Sequence, residues 1–361
     1  MRTLTTLASS PIRQGEQNRQ DLLIDLLKAL CMQVIVLHHL TSYGSLAHEA
    51  LALAPQPAGF LYDYGRYVVA VFLATGGYLA SQSMRARGGA LDLPRTLARR
   101  YLRLAVPYLV AILVAVLAAA IARYRVHEAF VGDPVTLGQF AANASLLQGI
   151  LGFESLAAGL WYVSIDFQLF AFLAVLCVVF KNEVVRLIVL GGFMAAALYH
   201  FNRDANYDSY FVYFVASYGV GVLAEAIRHA QSAMVRRVAM ALFIVAGLAI
   251  VAEVFQARAV RTLVAFSTAA LLLACGARVW RIQGGRLARW LAWAGSRSYG
   301  VLVFHFAWIL IACAVYPAHT RPSAIELTVA VVVVTVLSWL SADWVYRHVE
   351  RPAGRLIARL T

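Results

Sequence analysis

Long apolar segments recur along this chain from Leu22 almost to its C-terminus. Several of them reach the length of about 20 residues that a helix needs to cross a bilayer. Only 14% of the residues are charged, whereas a soluble domain carries about 25%. No block of the sequence is large or polar enough to form a second, soluble domain. The pattern therefore predicts one all-α polytopic membrane domain over residues 1–361, with a short cytoplasmic tail at 1–20.

The apolar segments predict about ten transmembrane helices. Segment 135–159 does not fit this series, because it is moderately apolar but holds Gln139, Asn143, Gln148 and four glycines. Counting it as a crossing would invert every later loop, so we interpret it as a re-entrant or interfacial element on the outer side. Non-helical backbone at membrane depth is tolerated where protein or a water-filled cavity satisfies it. The predicted spans are 22–44, 61–83, 102–122, 160–180, 185–201, 208–227, 236–255, 260–277, 298–316 and 324–346.

The basic residues set the orientation of these spans. The chain has a net charge of +13, but its basic residues form no single tract and lie between the apolar segments. With both termini in the cytoplasm, 24 of the 31 basic residues fall on the cytoplasmic side. This is the positive-inside pattern of a membrane protein. It indicates the lipid bilayer, and no nucleic acid, as the partner, and we expect a multi-pass protein of a bacterial inner membrane.

Ionisable side chains inside the first span need an explanation, because such groups are costly in hydrocarbon. The run DLLKALCMQVIVLHHL places Asp25, Lys28, His38 and His39 in one helix. Lys28 and His39 are eleven residues apart, which puts them within roughly 20° of one face and about 16 Å apart along the axis. Asp25 shares this face, whereas His38 points about 100° away. Taken alone, this helix is also compatible with interfacial anchors and a packed histidine.

Further polar side chains occur in or beside later spans. Asp166 follows Trp161 closely inside the fourth span, where a carboxylate needs a partner. Arg100 and Arg103 precede the third span and share a helix face. Positive-inside bias alone would also explain these two arginines. His305 lies in the ninth span, where a packing role is the simpler interpretation.

The order of these residues resembles the acyltransferase 3 family of membrane O-acyltransferases, from about Arg19 to Arg351. The family's first-helix pattern of an acid, Arg and His is similar to Asp25, Lys28 and His39, with Lys in place of Arg. Asp166 stands where the family has Glu. In the second helix, Gly76 stands where the family usually has Ser. The two charge-preserving changes lead us to expect an active enzyme. The remaining matches are GGYLA at 76–80, Arg100 with Arg103, Trp161 with Ser164 and Asp166, Gly295 with Ser298, Tyr299 and His305, and Glu350 with Pro352.

The resemblance implies transfer of an acyl group, expected to be acetyl, from cytoplasmic acyl-CoA to a hydroxyl of a carbohydrate, glycan or small hydroxylated acceptor. Acyl-CoA would act as a co-substrate, with no cofactor bound. His39 would be the general base or a nucleophile, Asp166 would orient His39 or the acceptor, and His305 is a further catalytic candidate. The candidates for binding donor or acceptor are Asp25, Lys28, Arg100, Arg103, Trp161, Ser164 and Tyr299.

Other classes of function remain open at this point. A transporter or flippase could use His39, Asp166 and the arginines as a polar pathway, and a binding or sensory membrane protein would need no chemistry. A metal or haem site at His38 and His39 is disfavoured, because adjacent helical residues diverge by about 100°. The four cysteines show no metal-ligand spacing and lie in apolar stretches. We therefore expect no metal.

Overall fold

The computed structural model describes residues 11–87, 91–254, 260–277, 285–316 and 323–360. Within these ranges the chain forms helices joined by turns and contains no strand. The fold class is all-α and polytopic, as predicted. In chain order the helices are α1 (Pro11–Leu40), α2 (Gly44–Leu53), α3 (Pro55–Tyr64), α4 (Val69–Arg85), α5 (Leu93–Ala122), α6 (Leu137–Ala144), α7 (Leu160–Val179), α8 (Glu183–Tyr199), α9 (Phe211–His229), α10 (Ala233–Val254), α11 (Val260–Ala277), α12 (Arg286–Val315), α13 (Ala324–Val345) and α14 (Arg351–Leu360).

Eight of the described helices are long and apolar enough to cross a membrane, and each corresponds to a predicted span. The other two predicted spans coincide with α4 and α11, which are shorter. Helix α4 has 17 residues, or about 26 Å of length, slightly less than the hydrocarbon thickness of about 30 Å. The apolar part of α11 covers Val260–Cys275.

The second span begins later than predicted. Residues 61–68 were expected to open it, but they complete α3 and a 3-10 turn, Gly65–Val68, before α4 starts at Val69. The turn packs against α1, where a Cβ at Gly65 would lie 2.6 Å from the Cβ of His38. Glycine permits this approach, and the turn extends the short helix α4 at that end.

Three helices, α1, α5 and α12, begin nine or more residues before their predicted spans. Helix α1 begins at Pro11, so the latter half of the predicted tail is helical, and α12 begins at Arg286. Helix α5 begins at Leu93 because the Asp92 side chain accepts a hydrogen bond from the backbone N–H of Arg95 at 3.1 Å, which is an N-cap. Residues 255–259, 278–284 and 317–322, which cover most or part of three predicted loops and include several of the counted arginines, lie outside the described residues.

The helices pack around two neighbouring cores. One core joins α4, α7, α8, α9, α10 and α11, and the other joins α1, α5, α12 and α13 with the chain around α6. In the first core, α4 and α9 approach closely because Gly77 lies against the carbonyl of Tyr218 and Gly221 lies against the carbonyl of Ala74. Small residues commonly allow such contact between membrane helices. Helices α1 and α7, which carry Asp25, His39 and Asp166, contribute side chains to both cores.

Segment 135–159 does not cross as a helix. Its only described helix, α6, has 8 residues, about 12 Å, far short of a bilayer. Asn143 is fully buried and organises the segment: its Nδ2 donates to the carbonyls of Gln139 and Glu154, and its Oδ1 accepts from the N–H of Leu156. The buried backbone is thus satisfied by protein, as a re-entrant segment requires.

Candidate active site

Two histidines from distant parts of the chain meet inside the bundle. Nδ1 of His39, in α1, lies 2.7 Å from Nε2 of His305, in α12. His305 is completely buried. Gly159, with φ +90°, begins α7 beside this pair, and a Cβ there would lie 3.5 Å from Cε1 of His305. A positive φ favours glycine. The glycine at position 159 therefore allows the chain to turn into α7 directly beside His305.

The hydrogen bonds of His305 determine how the pair shares its protons. Nδ1 of His305 lies 3.0 Å from the carbonyl oxygen of Val301 and 2.9 Å from that of Leu302. Carbonyl oxygens only accept, so Nδ1 of His305 carries a hydrogen and Nε2 of the neutral ring is an acceptor. Nδ1–H of His39 therefore donates to His305. The neutral His39 ring is left with an unprotonated Nε2, which can accept a proton.

His38 has a different environment from His39. Its Nδ1 donates to the carbonyl oxygen of Leu61 at 2.9 Å, and its ring packs near the turn at Gly65. The carbonyl of His38 accepts hydrogen bonds from the hydroxyls of Thr41 and Ser42. His38 therefore fixes the end of α1 to α3 and points away from His305.

The predicted face of α1 is the face that packs on α12. Gly295 of α12 lies directly against the Asp25 side chain, where there is no space for a Cβ. His39 meets the same helix at His305, farther along α1. Lys28 lies between Asp25 and His39 in the sequence and is half-buried. Asp25 and His39 therefore both face α12, in agreement with the helical periodicity.

Asp166 forms an ion pair with Arg100 of α5. The Asp166 side chain is 9% exposed, and the guanidinium of Arg100 also lies over the ring of Phe170, 5.0 Å from its centroid. The sequence suggested that Asp166 orients His39 or the acceptor and that Arg100 binds the donor. In the structure these two side chains bind each other, and the contact to Nδ1 of His39 is made by His305.

Arg103 lies in α5, and Tyr299 lies in α12. Arg103 is exposed, and Glu350 lies within electrostatic range of it. The hydroxyl of Tyr299 donates to the carbonyl oxygen of Leu104 at 2.9 Å. Tyr299 thus joins α12 to α5 one residue beyond Arg103. A binding role was predicted for Tyr299, and the contact found for its hydroxyl is a structural one.

Ser164 and Trp161 occupy the entry to α7. The hydroxyl of Ser164 donates to the carbonyl oxygen of Leu146 at 2.5 Å. Leu146 has φ +61°, an uncommon value for a residue with a side chain, so Ser164 stabilises this turn of segment 135–159. Trp161 stacks on Phe214 and is 38% exposed.

One buried polar cluster was not foreseen from the sequence. Glu225 of α9 is completely buried and accepts hydrogen bonds from Arg85 and Ser81 of α4, while Arg85 also binds Glu183. An acid within the apolar run VGVLAEAI was the available signal. Because these groups satisfy one another and join α4, α8 and α9, we interpret the cluster as structural. Within the described residues, no three His, Cys, Asp or Glu side chains lie together as metal ligands.

These elements define a multi-pass membrane protein that contains a buried histidine pair and a largely buried ion pair. The family model described as an acyltransferase domain, that of acyltransferase 3, matches residues 21–343. The chain therefore belongs to the acyltransferase 3 family and is a membrane acyltransferase. No curated protein and no solved structure matches the chain. The family match gives no support to the transporter interpretation.

Proposed function

We propose that this acyltransferase moves an acetyl group from cytoplasmic acetyl-CoA to a hydroxyl of a carbohydrate or glycan-like acceptor at the outer face of a bacterial inner membrane. The observation that carries the proposal is the hydrogen bond between His39 and His305, 2.7 Å long. It leaves Nε2 of His39 with a lone pair. A general base must be unprotonated and held in position, and His is the residue most often used.

The reaction needs one proton acceptor. Nε2 of His39 takes the proton of the acceptor hydroxyl while the hydroxyl oxygen bonds to the thioester carbonyl carbon. The carbon–sulfur bond then breaks, and the proton passes from His39 to the sulfur, which leaves as the CoA thiol. In a second route, Nε2 of His39 attacks the thioester carbonyl carbon and CoA leaves as the thiolate. The acceptor hydroxyl oxygen then bonds to that carbon, the bond to Nε2 breaks, and the hydroxyl proton ends on the thiolate. Both routes use the same lone pair and give the same products.

The donor would reach His39 from the cytoplasmic side. The phosphates of CoA cannot enter hydrocarbon, and arginine binds phosphate through parallel hydrogen bonds. Because Arg100 is engaged by Asp166, the exposed Arg103 is the stronger candidate for this contact, with Lys28 on α1 as a second cation. Lys28 and His39 lie about 16 Å apart along α1, a distance that the thin pantetheine arm can cover.

The direct test uses purified protein, radiolabelled acetyl-CoA and a glycan fraction from cells that lack the gene. We expect base-labile label in the glycan together with an equal release of CoA thiol, and neither with heat-denatured protein. Movement of glycan across vesicles without loss of the thioester would contradict the proposal and favour transport. Comparison of surface glycans by mass spectrometry, with and without the gene, would then identify the acceptor.

A further inference from the structure

A second feature lies close to the histidine pair. A cavity of about 540 Å³ is lined by α5, α12, the entry to α7 and the chain at 129–136, 139 and 152–158, and it is open on one side. We call it the loop cavity. Tyr43 and Phe306 form part of its wall, and both rings pack against His39, with centroid distances of 5.6 Å and 6.4 Å. The loop cavity therefore ends one aromatic ring away from His39.

Aromatic rings make up much of the wall. Trp161 contributes a partly exposed indole, and Phe130 packs against Tyr43 with a centroid distance of 5.4 Å. Binding sites for small molecules combine such apolar surfaces with a few polar groups that fix orientation. Flat aromatic faces suit the C–H faces of a sugar ring, which leaves the ring hydroxyls free to meet polar side chains.

Two of the three charged residues that line the loop cavity are acidic. Asp133 and Glu154 line it, opposed by Arg123. The guanidinium of Arg123 is 3.4 Å from the carbonyl oxygens of Gly132 and Asp133, so it interacts with the loop backbone. Carboxylates accept hydrogen bonds from hydroxyl or ammonium groups and repel anions. This acidic excess is local, because the chain as a whole has a charge of +13.

The loop that carries Glu154 is held in place. Nδ2 of Asn143 donates to the carbonyl oxygen of Glu154 at 3.1 Å, and the N–H of Leu156 donates to Oδ1 of the same Asn143. Asn143 is completely buried. The cavity wall is thus built on an anchored loop, as a binding site requires.

We infer that the loop cavity is the acceptor site and that it takes a sugar ring bearing no carboxylate or phosphate, either neutral or carrying an amino group. The inference rests on the proposed function and deepens it. The aromatic walls contact the ring faces, Asp133 and Glu154 accept from hydroxyl or ammonium groups, and the reacting hydroxyl lies at the Tyr43 and Phe306 end of the cavity, the end nearest His39. A phosphorylated sugar or a uronic acid would bring an anion against these two carboxylates.

Blocking the loop cavity tests its role. In a background with the native cysteines replaced, Val135→Cys places a thiol on the cavity wall, and Leu137→Cys places one nearby on a side chain that is 84% exposed and does not line the cavity. Spheroplasts of the producing cell are treated with a bulky, membrane-impermeant maleimide, and acetyl esters newly formed on surface glycans are measured. We expect labelling at residue 135 to lower ester formation at least about tenfold, a loss of about 1.4 kcal/mol in transition-state stabilisation. Labelling at residue 137 should leave ester formation unchanged.

Two further readouts separate the possible failures. Binding of radiolabelled acetyl-CoA to the purified, labelled Val135→Cys protein should be retained, which shows that the fold and donor site survive. If His39→Ala abolishes ester formation but complete labelling of Cys at position 135 leaves it unchanged, the acceptor site is overturned and the proposed function stands. If His39→Ala leaves the esters unchanged, the proposed function fails and the acceptor site with it.

The chemical class is tested on the product. Mass spectrometry of the glycan fragments that carry the acetyl ester should place it on a neutral or amino sugar. An ester on a uronic acid or on a phosphorylated sugar would overturn the class assigned from Asp133 and Glu154.

Discussion

His39 and His305 lie 266 residues apart in the sequence, and their ring nitrogens meet at 2.7 Å. The backbone carbonyls of Val301 and Leu302 hold the hydrogen of His305 on Nδ1. This directs the hydrogen of His39 onto its own Nδ1. We infer that His305 positions His39 for catalysis, and that this role depends on the hydrogen-bond acceptor Nε2 of His305.

Replacing His305 separates this positioning role from simple packing. His305→Leu removes the hydrogen-bond acceptor of His39 and should lower kcat strongly. In a catalytic triad, replacing the residue that orients the histidine by one that favours the wrong tautomer lowers kcat by about 10⁴. His305→Gln can present its Oε1 near the former Nε2 and should recover a substantial part of kcat. Steady-state kinetics on both variants checks this. Equal activity of the Leu and Gln variants would contradict the positioning role.

The ion pair between Asp166 and Arg100 should matter for stability. Removing one partner of a buried pair costs about 3–5 kcal/mol, because the other charge is left uncompensated. Arg100 is 30% exposed at its side chain, so we expect Arg100→Gln and Asp166→Asn to lie toward the lower part of that range. The measurement is thermal unfolding in detergent, with Arg95→Gln, an exposed arginine at the start of α5, as the matched control. Unchanged unfolding temperatures for both single variants would contradict a structural ion pair.

The sequence was most informative where a single helix carries the information. The 3.6-residue period placed Asp25 and His39 on one face of α1, and the structure packs that face on α12 at Gly295 and His305. The polar residues of segment 135–159 indicated that it does not cross, and the buried Asn143 network agrees.

Contacts between helices were harder to predict. The partner of Asp166 depends on how α5 and α7 are aligned along their axes, and no local pattern reports that alignment. Arg100 was therefore assigned to the donor, although it binds Asp166. The late start of α4 has a similar origin, because the turn at Gly65 is set by packing against His38 rather than by hydropathy.

Donor binding can be tested at Arg103. Arg103→Gln should raise the KM for acetyl-CoA with little change in kcat, because a charge-assisted contact of about 1.5–3 kcal/mol would be lost. This corresponds to roughly tenfold or more. Arg95→Gln again serves as the control, since it removes an exposed charge from the same helix. An unchanged KM for acetyl-CoA in Arg103→Gln would contradict donor binding and leave positive-inside bias as the explanation for this arginine.

Sidedness tests the predicted orientation. In a background without the native cysteines, Glu154→Cys should react with an impermeant thiol reagent in intact spheroplasts, whereas Asp92→Cys should react only after lysis. Both positions are exposed in the structure, so access is decided by the membrane. Labelling of residue 92 from outside would invert the orientation. Labelling of residue 154 only after lysis, with residue 92 as expected, would mean that segment 135–159 crosses the membrane and that the ten-span count is wrong.

The most direct test of the central claim compares the two neighbouring histidines of α1. Acetyl transfer from radiolabelled acetyl-CoA to the glycan acceptor is measured for His39→Ala and His38→Ala at equal amounts of folded protein. Loss of a general base costs typically 10²–10⁴-fold, so His39→Ala should reduce transfer by at least about 10²-fold. His38→Ala removes the hydrogen bond to Leu61 and the packing of the ring near Gly65, but no contact to His305, so it should retain most of the activity. An active His39→Ala protein beside an inactive His38→Ala protein would contradict the assignment of His39 as the catalytic base.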